Sequence, residues 1–259
     1  MEICAGRPPH LGYETLQEWR LALRSPFPGF PPEALQFFRG LARNNKREWF
    51  LSRKPLFEER VKEPMRQLVD ALNLALHDFA LEYETAPDKA IFRIYRDIRF
   101  SKDKKPYKEQ IAATFRRRGA PHHQGGYYFA ISHKAVAVGG GVYLPEPALL
   151  LAIRQRIAER HEEFRRILAA RPVRKLLGNL QGEQLSRVPR GFAANHPAAD
   201  LLRFKYYILY KELPASLATS PALYKAIAER FRVMLPFMHF ITESFATQPK
   251  KPDVRAMFA

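Results

Sequence analysis

The 259-residue chain carries 43 Lys and Arg against 26 Asp and Glu, a formal net charge of +17, and 46% of its residues are apolar. That composition supports a sizeable core and excludes a disordered chain, and no apolar run reaches the ~18 residues of a membrane span. A single cysteine, Cys4, excludes an internal disulfide framework and a cysteine metal cluster. The opening MEICAGRPPH lacks a basic-then-apolar leader, so a cytoplasmic protein is expected.

The first 24 residues hold a short amphipathic piece around Tyr13–Leu23. SPFPGFPP, Ser25 to Pro32, then reads as a linker rather than a helix. Residues 1–28 are therefore expected to form an extension, and residues 29–247 a single domain whose core begins at Phe30. Pro32 and Glu33 suit a helix N-terminus, with Leu35, Phe38 and Leu41 on one face. Asn44–Asn45 breaks that helix, and a second short one carries Trp49 and Phe50. A long helix is predicted near Pro55–Phe79, because Phe57, Val61, Met65, Leu68, Leu72, Leu76 and Phe79 recur every three or four residues. Pro64 predicts a kink within it.

From Ala90 the period changes to two. Phe92, Ile94, Ile98 and Phe100 alternate with Arg93, Tyr95, Asp97 and Arg99, which predicts a strand with one charged face. Arg96 falls in phase with the apolar set, so either a bulge or a buried pairing with an acid, Asp97 for example, is expected. A polar loop to Tyr107 precedes strands over Ile111–Phe115, Tyr127–Ser132 and Ala135–Tyr143. A helix starts near Pro147 and runs past Phe164 to Leu168, followed by a loop-rich stretch from Arg171 to Asn195. Phe204–Leu213 reads as a fifth strand, and Pro221–Phe245 as a final helix with Pro236 inside it. A polar tail, 248–259, ends the chain. The expected class is α+β, a mainly antiparallel sheet of about five strands packed with several long helices. The short connections between the middle strands exclude parallel crossovers.

Charge is concentrated: residues 93–118 hold ten basic side chains and three acids. The face bearing Arg93, Tyr95, Asp97 and Arg99, with Lys102, Lys105 and Tyr107 from the following loop, is the leading site candidate. Guanidiniums on a regular element hold phosphate or carboxylate bidentately; the bland alternative is a solvent-facing ladder of salt bridges. Gly139–Gly141 is either a bend in a strand or a floor under a ligand, with Gly140 at its centre. In VPRGFAANHPAAD, Arg190 is a candidate for a further anion clamp and His196 a weak base candidate, while Asn195 or His196 beside Pro197 reads as a helix cap, Asn195 being favoured. His122–His123 and His161 make no metal pattern, and HExxH, GxSxG and phosphate-loop motifs are absent from the sequence. No cofactor and no metal are expected.

The blocks FPPEALQFFRGLARNNKREWF, FRIYRDIRFSKDKKPYK, GGYYFAIS, VGGGVYLPEP and GEQLSRVPRGFAANHPAADLLRFK occur in that order. Together they resemble domain-of-unknown-function family 2461 of bacteria and fungi, from about Phe30 to Phe245. Ile98 stands where the resemblance leads one to expect threonine. It implies no particular activity. Two readings stay open. One is an enclosed pocket for a small phosphorylated or carboxylated molecule, with Arg93, Arg99 and Arg190 as clamps, Tyr95 as donor and Asp97 or His196 as a base if it is an enzyme. The other is a nucleic-acid surface built on the basic 93–118 stretch.

Overall fold

A computed structural model describes residues 26–118 and 125–246. Most of the N-terminal extension, the His122–His123 pair and the tail lie outside the described residues. The extension's last residues belong to the core: Phe27 is fully buried and packs edge-on against Phe30 at 5.5 Å. The backbone N–H of Phe30 donates to the Ala218 carbonyl at 2.8 Å. Core side chains thus begin before Phe30, because this proline-rich segment is rigid and lies against a neighbouring turn.

Helix α1, Pro32–Arg43, starts on its proline and buries Ala34, Phe37, Phe38 and Leu41. It stops at Asn44, whose side-chain amide donates to the Gly40 carbonyl. α2 (Arg47–Leu51) and α3 (Lys54–Phe57) are short. A single π turn, Glu58–Lys62, then leads into α4, Glu63–Phe79. The long helix expected near Pro55–Phe79 is therefore interrupted where Pro64, with no N–H, removes a rung of the ladder.

Among the described residues the sheet has four strands, β1 (Gln110–Arg116), β2 (Gly126–Ser132), β3 (Ala135–Val142) and β4 (Tyr207–Pro214), all antiparallel in the order β1-β2-β3-β4. The expected strand over Phe92–Phe100 is not one of them. Residues 91–98 make isolated bridges, Ile91↔Ala113 to β1 and Tyr95↔Tyr107 to the segment before it, and Phe92 N–H donates to the Ala112 carbonyl at 2.9 Å. Arg96 N–H donates to the Pro106 carbonyl, and Lys108 N–H to that of Ile94. The segment folds back on a proline-containing stretch that cannot complete a ladder, forming an arm beside the sheet. Its alternation survives in part: Ile94 is buried while Arg93, Tyr95, Asp97 and Arg99 are exposed, but Phe92 and Phe100 are exposed too.

After β3 the expected single helix is two, α5 (Pro147–Glu159) and α6 (His161–Ala169), separated at Arg160. The loop-rich stretch contains α7, Arg171–Leu176, and residues 181–184 make bridges to Phe204 and Ile208. The turn α8, Ala199–Leu202, precedes β4. α9, Ala222–Ala246, lies across one face of the sheet. Its Phe231 meets Phe115 at 5.7 Å and Tyr127 at 4.8 Å.

Candidate functional site

The residues expected to converge on one anion site are spread over several places. Arg93 and Tyr95 line a cleft of about 250 Å³ between the arm and α3–α4, floored by Phe50, Phe57, Ile94 and Ile111. Lys105 and Tyr107 line a different cleft on the arm's other side. Asp97 and Arg99 satisfy each other at 2.7 and 3.0 Å. That pairing, with a further backbone bond from Arg99, holds the Asp97 carboxyl below its usual pKa. Lys102 is exposed at the tip. Arg190 is exposed on a loop and lines neither cleft, and His196 uses Nδ1 to accept from Ala198 N–H at 3.0 Å. His196, not Asn195, therefore acts near the start of α8. Asp200 is taken by Arg165 at 2.6 and 3.1 Å.

Arg96 is half-buried and pairs at 2.7 Å with Asp103, an exposed acid, in place of a buried one. Tyr107 is buried. Its ring stacks on Phe50 at 4.3 Å, and Asn45 both donates to its carbonyl and accepts from its N–H, each at 3.0 Å. Burial raises the Tyr107 phenol.

A better-formed cavity, about 440 Å³, lies on the sheet face turned away from α9. The strand register sets that face in rows. One row runs Arg116–Gly126–Gly141–Ile208, the next Thr114–Tyr128–Gly139–Tyr210, and the third Ala112–Ala130–Ala137–Glu212. The first row has no side chain between its ends, so it forms a trough. Two backbone constraints keep it bare: a Cβ on Gly126 would lie 2.4 Å from the Phe115 carbonyl oxygen, and one on Gly141, at φ +136°, 2.2 Å from that of Tyr207. Gly140 contributes backbone, but a side chain there would point to Met234 on α9, at 3.1 Å.

Aromatic rings wall the trough: Tyr128 and Tyr210 over the alanines, with Phe92 and Tyr143 at the sides. Tyr128 accepts from the Gln110 amide at 3.1 Å, which leaves its own proton for a ligand. Tyr210 donates to Glu212 at 3.0 Å. Burial first, and then Glu212, push its phenol up to about 12.

A family model described as conserved hypothetical protein (DUF2461) matches residues 33–240. The chain belongs to that family. No curated protein and no solved structure matches it. The DUF2461 blocks acquire a physical meaning here. NNK supplies Asn45, which fixes PYK by its tyrosine backbone. Within RIYRD and SKDKKPYK most cations cross-link the arm: Lys104 donates to the Ile98 carbonyl, Lys105 to Glu109 and Lys108 to the Arg93 carbonyl. GGYYFAIS and VGGGVYLPEP build the trough.

Sequence reasoning missed Thr114, Arg116, Tyr128 and Tyr210 as one group. A usable signal was present. In β2, Gly126, Tyr128 and Ala130 alternate with the apolar Tyr127, Phe129 and Ile131, and in β3 Ala137, Gly139 and Gly141 fall on the second face. Small residues on one face of two neighbouring strands mark a hollow.

Proposed function

We propose that this protein binds a small, flat, mainly apolar molecule carrying an acidic group, seated in the trough on the outer sheet face. The observation that supports it is the row Arg116–Gly126–Gly141–Ile208. A planar ring laid there rests on peptide groups, flanked by aromatic walls, with Arg116 at one end for the acid. The dye 8-anilinonaphthalene-1-sulfonate has this shape and charge and serves as the probe. Saturable one-site binding is expected, at least tenfold weaker in Ile208→Trp, which fills the trough from the edge strand, and weaker in Arg116→Gln. Near-UV circular dichroism accompanies the titration, since loosened cores also take up the dye. Unchanged dye binding in both folded variants overturns the reading.

A second reading, single-stranded nucleic-acid binding, is favoured by the tip of the arm. Phe100 is 95% exposed. The Arg99 guanidinium sits 5.7 Å from its ring, and Lys102 and Lys104 are close in sequence. An exposed ring among cations suits base stacking beside a phosphate backbone. Anisotropy of a labelled 20-nucleotide strand tests it: affinity should fall steeply with salt and drop about fivefold or more in Phe100→Ala. No binding at low salt removes this reading.

A further inference from the structure

On the arm's other side lies a cleft of about 430 Å³ bounded by the arm and the β2–β3 turn, sharing no lining residue with the trough. Its lining includes Arg96, Lys105, Lys108 and Lys134, with Asp103 and Glu109 as the acids. Both acids are committed: Asp103 to Arg96 at 2.7 Å and Glu109 to Lys105 at 2.9 Å. Lys108 donates once, to the Arg93 carbonyl, and retains two further donors. Lys134 makes no side-chain hydrogen bond or ion pair among the described residues, and neither do Arg39 and Arg43 near the end of α1. Between these groups stands His133, whose Nδ1 is shielded from solvent and has no hydrogen-bond partner.

Four cations of the lining, with Arg39 and Arg43 nearby, thus accompany two neutralised acids around an orphaned imidazole nitrogen. We propose that this cleft is a second site, for a phosphate-sized dianion, with Arg96, Lys108 and Lys134 as its cationic contacts and the His133 imidazole, cationic once protonated, beside them. The paired acids hold Arg96 and Lys105 in place without cancelling the excess charge.

The histidine makes the proposal measurable. Burial, and then Lys134, Arg39 and Arg43, press the His133 imidazole below its ordinary pKa, while Glu109 alone pulls upward. A bound dianion reverses that field, so binding takes up a proton on His133. The affinity therefore rises as pH falls through the histidine range.

Sulfate is the probe, because it stays dianionic from pH 8 to pH 5.5. Calorimetry at low ionic strength should show one sulfate per chain, binding at least fivefold tighter at pH 6 than at pH 8. His133→Gln should flatten that pH profile. The double variant Arg43→Gln/Lys134→Gln changes exposed side chains and should fold normally, with at least tenfold weaker binding. The His133 Cε1–H resonance should titrate at higher pH with sulfate present. Absence of sulfate binding, or binding indifferent to both pH and the double variant, overturns the proposal. So does a 20-nucleotide strand bound at the patch and not displaced by pyrophosphate at matched ionic strength, which would make the surface a polynucleotide track.

Discussion

The two faces of the sheet use the same four strands in opposite ways. On one, Phe115, Phe129, Ile131 and Val138 are fully buried, and Phe115 packs directly against α9. On the other, Ala112, Ala130 and Ala137 are covered by Tyr128 and Tyr210, and two glycines leave a hollow. A sheet of this kind needs one packed face for stability; the second is then available for binding. The difference teaches where to look for stability effects and where to look for ligand effects.

The comparison breaks most visibly at a large core side chain. Phe129→Ala, and likewise Phe27→Ala, should cost about 3–5 kcal/mol in denaturant melts, from lost burial and an unfilled cavity. Thr114→Ala, on the outer face, should stay within about 1 kcal/mol, although Thr114 donates to the Tyr127 carbonyl at 3.1 Å. Equal losses on the two faces would contradict the assignment of the core. A loss at Phe27 also places the true start of the folded unit before residue 29.

The arm provides the next largest effect. Asn45→Ala removes two hydrogen bonds from the Tyr107 backbone. With about 1 kcal/mol for each bond, a loss of roughly 2 kcal/mol is expected, whereas Asn45→Asp should keep the acceptor half. Hydrogen exchange of the Tyr107 amide reads this directly.

Alkaline titration compares the faces without mutation. Tyr127 and Tyr207 on the core face and Tyr210 on the outer face all have phenols raised by burial, Tyr210 to about 12. The folded chain therefore retains protons that the unfolded chain releases near pH 10, and stability falls as pH rises above 10. Absorbance at 295 nm should show Tyr210 titrating in the native state, and Tyr127 and Tyr207 only as the chain unfolds. The smallest effect belongs to the tip: Phe100→Ala should change stability by no more than about 0.5 kcal/mol, leaving any loss of oligonucleotide affinity as a true binding effect.

Patterns that repeat over a few residues were legible in the sequence. The period of 3.6 in α1, α4 and α9 and the period of two in β1 to β3 identified an α+β protein with an antiparallel sheet, because each side chain's direction follows from local backbone geometry. The motif blocks identified the family on the same local grounds. The arm and the sites are different. Whether FRIYRDIRF becomes a strand depends on a partner with free backbone groups, and the stretch around Pro106 does not provide a full ladder. Which cations of that segment remain open to a ligand depends on Asp97, Asp103 and Glu109 finding them in space. The trough exists only because the register sets Gly126 beside Gly141, and Gly141 beside Ile208 from 67 residues further along. Such neighbours are distant in sequence, so tertiary pairing decides which faces fill, which charges cancel and which hollows stay open.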